Sequence, residues 1–319
     1  MTRRLLACSS AGGHFRQLLS LVDRVPGADE VTWLTHDRGL ARDLLDASGR
    51  GDDRLVHAPY AAPRDVLNLA RDARVADRLL REVRPDLAIS TGAGIAVATL
   101  PLARARGARA CFIESATREA GPSLSGRILQ RTPGVELYTQ NPGEGYGRRW
   151  GHVGSVHDEF APGPEHADAG PRRVVVTVGT IRPYGFRRLL QRLLDVLPGD
   201  AEVLWQTGVT PVGDLPIDAR EHVPATEMEA AMAQADVVVA HAGTGSALTA
   251  FAAGRCPVLV PRRRTHGEHV DDHQVGTARM LAYRGLALYV EADELSEDHM
   301  SQAAARSVVR REDPAPLAL

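Results

Sequence analysis

The sequence predicts an α/β protein built as two doubly wound parallel sheets in tandem, with the two lobes facing a cleft. Three observations carry that expectation. Short apolar runs alternate with longer amphipathic stretches, as β/α repeats require; the alternation restarts after an interval rich in Pro, Gly and Ala; and 319 residues, 44% hydrophobic, suffice for two compact domains.

In the first lobe the expected strands cover 5–9, 30–35, 54–57, 86–90 and 109–114, and the expected helices cover 14–25, 64–84 and the stretch ending at 106. In the 64–84 stretch Val66, Leu69, Ala73, Ala76, Leu79, Leu80 and Val83 make one apolar stripe, with arginine and aspartate opposite. Residues 160–171, FAPGPEHADAGP, have no periodicity and read as a linker between a domain at 1–159 and one at 172–319. Beyond it, strands are expected at 173–178, 202–207, 236–240, 257–260 and 286–290, with helices at 184–197, 226–234, 245–253 and 268–284. Ligands of such sheets bind beyond the strand C-termini, so the cleft between the lobes is the expected place.

Composition excludes several functions. With 38 basic against 40 acidic side chains the net charge is −2, so no overall basic field marks a nucleic-acid binder. Every basic residue is arginine, and a chain without lysine cannot run a Walker-A loop, a protein-kinase site or Schiff-base chemistry. Cys8, Cys111 and Cys256 form no CxxC pair, which suits a reducing cytoplasm better than a disulfide scaffold. The apolar start is too short for a signal-peptide core. The weakly polar stretch 87–103 contains Ser90, Thr91, Gly92 and Gly94, and so reads as strand, turn and helix rather than a membrane span.

Three places could carry chemistry. The first strand runs into Gly12, Gly13 and His14 at a helix start, where free N–H groups favour an anion and the imidazole adds a titratable group. In the second lobe one strand delivers Gly179 and Thr180, and another delivers His241, Gly243, Thr244, Gly245 and Ser246. Together these are two small-residue turns able to hold a diphosphate, without the GxGxxG of a dinucleotide site. The densest polar cluster runs from His266 to Gln274. There His269 and His273, four apart on an expected helix, could ligate zinc with Glu268 or Asp272, or the cluster could grip sugar hydroxyls.

Six segments together resemble one family: SSAGGH at 9–14, RPDLAISTGAG at 84–94, FIESATREAGPSLSGR at 112–127, VTVGT at 176–180, HAGTGS at 241–246 and GEHVDDHQ at 267–274. They are similar to the two-part UDP-sugar glycosyltransferases of the GT-B fold (glycosyltransferase family 28-like), here fused in one chain. The first half resembles the acceptor-binding, membrane-associated subunit of the enzyme that extends dolichyl-diphosphate-N-acetylglucosamine, and the second half its donor-binding subunit. Bacterial relatives extend undecaprenyl-diphosphate-linked sugars in exopolysaccharide assembly; the peptidoglycan N-acetylglucosaminyltransferase is a more distant likeness.

The resemblance implies an inverting transfer from a UDP-sugar to a polyprenyl-diphosphate-linked saccharide, with no cofactor, on the cytoplasmic face of the cell membrane; no DxD carboxylate pair stands out, so the transfer is expected to be metal-independent. The acceptor hydroxyl needs a base, and His14 is the expected one, with Glu114 second. Gly92, Arg118 and Ser123 would lie at the acceptor. The donor would meet Gly12, Gly13, Gly179, Thr180, the 241–246 helix start, Glu268, His269, Asp272, His273 and Gln274, and the backbone at His222 and Val223 would read uracil. Thr249 stands where relatives carry the acid that holds the ribose hydroxyls, and a hydroxyl cannot accept two bonds as a carboxylate does. A UDP-N-acetylglucosamine 2-epimerase and a non-catalytic acceptor-binding scaffold are the rival readings. Peripheral membrane contact is expected from the arginine-rich 64–84 helix and from Arg148, Arg149 and Trp150.

Overall fold

A computed structural model describes residues 3–59, 65–118, 121–141, 145–166, 170–179 and 183–319. The chain divides into two compact units, Met1–Asp158 with Pro314–Leu319, and Glu159–Asp313.

The first unit is built on a seven-stranded parallel sheet. Across it the strands run Arg54–His57, Glu30–Thr35, Arg4–Ser9, Leu87–Gly92, Arg109–Ile113, Val135–Thr139 and Trp150–His152. The winding reverses between Arg4–Ser9 and Leu87–Gly92, and a doubly wound sheet opens a crevice at such a point. Leu87–Gly92 is buried throughout, as a strand covered on both faces must be. The long helix spans Val66–Val83. Asp65 starts it by accepting the Asn68 N–H at 3.1 Å, and Arg84 ends it in a left-handed conformation. Ala76, Leu79 and Leu80 of its stripe pack with Leu6, Ile95 and Phe112 in the core.

The second unit repeats the plan with six parallel strands, in the order Ala219–Arg220, Glu202–Gln206, Arg173–Thr177, Val237–His241, Val258–Val260 and Leu288–Tyr289. Its reversal lies between Arg173–Thr177 and Val237–His241. Val174 and Val176 face one apolar cluster with Leu189 and Leu193, whereas Val175 faces the other with Met228 and Met232. The two-residue period of a strand thus feeds both layers.

Several features differ from the expected ones. Phe160–Pro162 is a strand, antiparallel to Val308–Arg310, because Phe160 is buried against Phe251 with ring centroids 5.4 Å apart; the expected linker therefore begins later, and its residues 167–169 lie outside the described ones. The last six residues return to the first unit, where Arg24 Nε donates to the Ala315 carbonyl at 2.9 Å and Leu317 is buried. A helix at Arg38–Ala47 was not expected from the sequence. Asp37 caps it and Ala41, Leu44 and Leu45 bury its inner face. Among the described residues no helix is long and apolar enough to cross a membrane.

Candidate functional site

In the first unit the sheet reversal brings the two flagged glycine turns together. Gly12, at φ 76°, lets the chain turn from Arg4–Ser9 into the helix Gly13–Asp23, and sets His14 in its first turn. His14 Nδ1 donates to the Thr91 carbonyl at 2.9 Å, and Thr91 Oγ1 donates back to the His14 carbonyl at 2.7 Å. A carbonyl can only accept, so Nδ1 carries a proton. Gly92 lies against this ring: a Cβ there would stand 3.0 Å from His14 Cε1. The next residue, Ala93, is held at φ 69°, strain of the sort that collects at functional turns.

Glu114 follows the strand Arg109–Ile113. It is 1% exposed, and its carboxylate accepts the N–H groups of Ser115 at 3.2 Å and Ser123 at 2.8 Å. A carboxylate closed on two amides is a positioning group, so the geometry does not favour it as the second base. Ser123 in turn caps the helix Leu124–Leu129 by accepting from Gly126 N–H at 3.1 Å. Arg118 is fixed through its backbone, donating to Ser115 O at 2.9 Å and accepting from Asn141 Nδ2 at 3.2 Å. Beneath them runs a buried network that the sequence reading missed. Gln17 accepts from Ala116 N–H at 2.8 Å and from Gln140 Nε2 at 3.0 Å, and Gln140 also donates to Glu114 O at 3.0 Å. Gln17, one turn after His14 on the buried side of its helix, was the available signal.

The second unit shows the same device at its own reversal. His241 ends a central strand with Nδ1 3.4 Å from the Thr177 carbonyl, and its ring fills the space between two glycines. A Cβ on Gly179, at φ 76°, would stand 2.6 Å from His241 Cε1, and one on Gly243 would also collide with the ring. Burial, with the Arg262 charge added, pushes the His241 pKa down to about 3, so the ring is neutral at ordinary pH. Gly243 precedes the helix Thr244–Ala252, whose first-turn N–H groups form an anion-favouring end with no acid in that turn. Thr180 lies outside the described residues. Thr249 Oγ1 donates to Gly245 O at 3.0 Å, so its one hydrogen is committed within the helix.

The 266–274 cluster is not one helix. The helix begins at His273, because Asp272 Oδ1 accepts Arg264 N–H at 2.9 Å and Glu268 accepts Arg263 N–H at 2.9 Å, side-chain bonds that hold the preceding turn open. His269 and His273 still meet, edge to face at 4.8 Å, and His269 stacks on Tyr184 at 5.6 Å. The third metal-capable group beside them is Asp271, which bonds His273 Nδ1, and not the expected Glu268 or Asp272. Glu268 is closed in two bonds with Arg188, at 3.0 and 3.1 Å, and so is structural rather than donor-binding. Gln274 is buried, with Oε1 on the Arg262 N–H at 2.9 Å.

The structure bears on two further expectations. The Val223 N–H is taken by the buried Gln206 side chain at 3.0 Å, which leaves the carbonyl as the backbone group of Val223 for a uracil edge, while His222 is exposed. Trp150 faces inward, donating to Gln130 Oε1 at 3.0 Å and packing on Phe112 and Tyr146. Arg149, itself exposed, donates to the carbonyls of Gln130, Thr132 and Val135, so part of its hydrogen-bonding capacity is used within the unit.

Comparison with known proteins bears on this pair of turns. The glycosyltransferase family 28 C-terminal domain matches residues 173–318. The UDP-N-acetylglucosamine--N-acetylmuramyl-(pentapeptide) pyrophosphoryl-undecaprenol N-acetylglucosamine transferase of Halorhodospira halophila (strain DSM 244 / SL1) is 30% identical over 304 residues, covering 88% of this chain and 82% of that protein. The chain belongs to glycosyltransferase family 28. Among solved structures this family 28 glycosyltransferase is similar to Acinetobacter baumannii MurG, with a TM-score of 0.57 and 18% identity over 94% of this chain and 89% of that one. It is also similar to a UDP-N-acetylglucosamine 2-epimerase, with a TM-score of 0.56 and 13% identity over 95% and 86%. At those identities the structures speak to the fold alone: GT-B, with two Rossmann-like domains.

Proposed function

We propose that this family 28 member moves a sugar, of the N-acetylhexosamine class, from a UDP-sugar to a hydroxyl of a polyprenyl-diphosphate-linked saccharide in cell-surface glycan assembly, with inversion. The observation that carries the reading is the Halorhodospira halophila relative, whose name states a UDP-N-acetylglucosamine donor and a pyrophosphoryl-undecaprenol acceptor and which aligns over four-fifths of both chains. On this reading the chain unites an acceptor half and a donor half that other systems divide between two subunits.

His14 Nε2 takes the proton of the acceptor hydroxyl as its oxygen attacks the anomeric carbon. The bond from that carbon to the UDP oxygen breaks on the opposite side, and UDP leaves with the electron pair. Its growing charge is met by the N–H groups of Thr244, Gly245 and Ser246 and by the Gly179 turn, so no metal is required. The fixed tautomer of His14 supports the first role, and the acid-free helix start supports the second. Thr249, its hydrogen spent on Gly245, accepts one ribose hydroxyl.

Membrane attachment, in this reading, is peripheral and uses the helix Leu124–Leu129. Leu124 and Ile128, one turn apart, are 51% and 42% exposed, with Arg127 and Arg131 exposed beside them. Of the arginines on Val66–Val83, Arg81 is spent in an ion pair with Asp77, which also pairs with Arg106 at the end of the helix Gly94–Ala105.

The test is release of UDP from labelled UDP-N-acetylhexosamines with and without polyprenyl-diphosphate saccharide. Acceptor-dependent transfer of label to lipid is expected. Isomerisation of the UDP-sugar without acceptor would establish the epimerase instead, and no binding of UDP would leave the scaffold reading.

A further inference from the structure

Arg262 follows the strand Val258–Val260 and is 1% exposed. One Nη bonds the Val178 carbonyl, while among the described residues Nε and the other Nη find no hydrogen-bond partner. The acid whose field reaches it, Glu268, is already closed on Arg188 and on the Arg263 N–H. Its remaining neighbour of note is the Phe186 ring, 6.0 Å from the guanidinium carbon. A buried cation with two bonds unmade destabilises the fold that contains it, so its presence calls for a compensating partner.

The surroundings indicate an anion. Val178 is the residue before Gly179, the turn that faces His241, and the Arg262 charge is felt at both His241 and His269. Gln274, through the Arg262 N–H, ties the same residue to the start of the helix His273–Tyr283. The chain has no lysine to supply a positive charge here. We propose that Arg262 is the fixed positive charge of the donor site, a positioning residue that selects the diphosphate from behind the Gly179 turn, an inference that rests on the donor site proposed above. Its charge reaches the ligand through a low-dielectric wall, where solvent screens it little.

The experiment compares UDP and uridine binding to the parent, Arg262→Met and Arg262→Lys by calorimetry or ligand-observed NMR. Arg262→Met should lose about tenfold or more in UDP affinity while its uridine affinity stays within about twofold. Arg262→Lys should keep most of the parent's preference. Arg262→Met should also melt no lower than the parent, since the buried charge is gone; Arg262→Gln serves as the neutral variant if Arg262→Met does not fold. A parent that prefers UDP and neutral variants that keep the preference would overturn the role of Arg262 while leaving the donor site intact. Equal losses of UDP and uridine would also overturn it, marking a merely structural side chain. A parent with no preference for UDP over uridine would sink the donor site itself, and this inference with it.

Discussion

His14 and Thr91 exchange two hydrogen bonds, ring to carbonyl at 2.9 Å and hydroxyl to carbonyl at 2.7 Å, across the point where the first sheet reverses its winding. That exchange fixes both the tautomer and the orientation of the imidazole. His14→Ala should therefore lower turnover by about a hundredfold or more with UDP affinity nearly unchanged. Thr91→Val, which removes only the return bond, should cost about tenfold or less. Steady-state kinetics with UDP titration reads both, and near-normal turnover in His14→Ala would remove it as the base.

The two glycines facing His241 should respond differently to the same substitution. Gly243 has an ordinary backbone, at φ −86°, so Gly243→Ala fails through collision with the ring and His241→Ala in the same chain should restore UDP binding. Gly179 sits at φ 76°, where an alanine costs about 1 kcal/mol or more whatever the space, so the second substitution should rescue Gly179→Ala only in part. UDP affinities of the four variants test this double comparison.

His241 also sets an acid limit on stability. The folded chain holds it neutral down to about 3, whereas the unfolded chain protonates it near its ordinary value of 6.5. Between these values the unfolded state binds more protons, so stability conferred by the neutral ring is complete above 6.5 and is lost as pH falls toward 3. His241→Asn should lose less in melting temperature than the parent between about pH 7 and pH 4.5. Parallel curves would contradict the assignment.

Much of this architecture was legible in the sequence. The β/α alternation follows from periodicity, the strands that end at Ser9, Thr177 and His241 were flagged because glycines follow them, and Gly92 was singled out through the family resemblance. What periodicity could not give was contact between distant segments. Gly92 meeting His14 and Gly179 meeting His241 depend on strand order, which a linear pattern does not encode. The 268–284 stretch misled because acids on its first turns bind backbone N–H groups at Arg263 and Arg264 instead of propagating a helix. Trp150 misled because an aromatic beside arginines looks interfacial until Phe112 is seen to cover it.

Membrane contact through Leu124 and Ile128 makes a separable expectation. The parent should co-float with anionic liposomes at low salt, and Leu124→Gln with Ile128→Gln should abolish flotation without changing the melting temperature, both side chains being exposed. Flotation unchanged in that variant would place the contact elsewhere.

The central claim is that the diphosphate of the donor lies on the turn between Gly243 and Ser246, next to Gly179. A crystal structure of the chain with UDP tests it most directly. The account predicts phosphate oxygens within hydrogen-bond distance of the Thr244, Gly245 and Ser246 N–H groups; UDP bound away from both turns would contradict it.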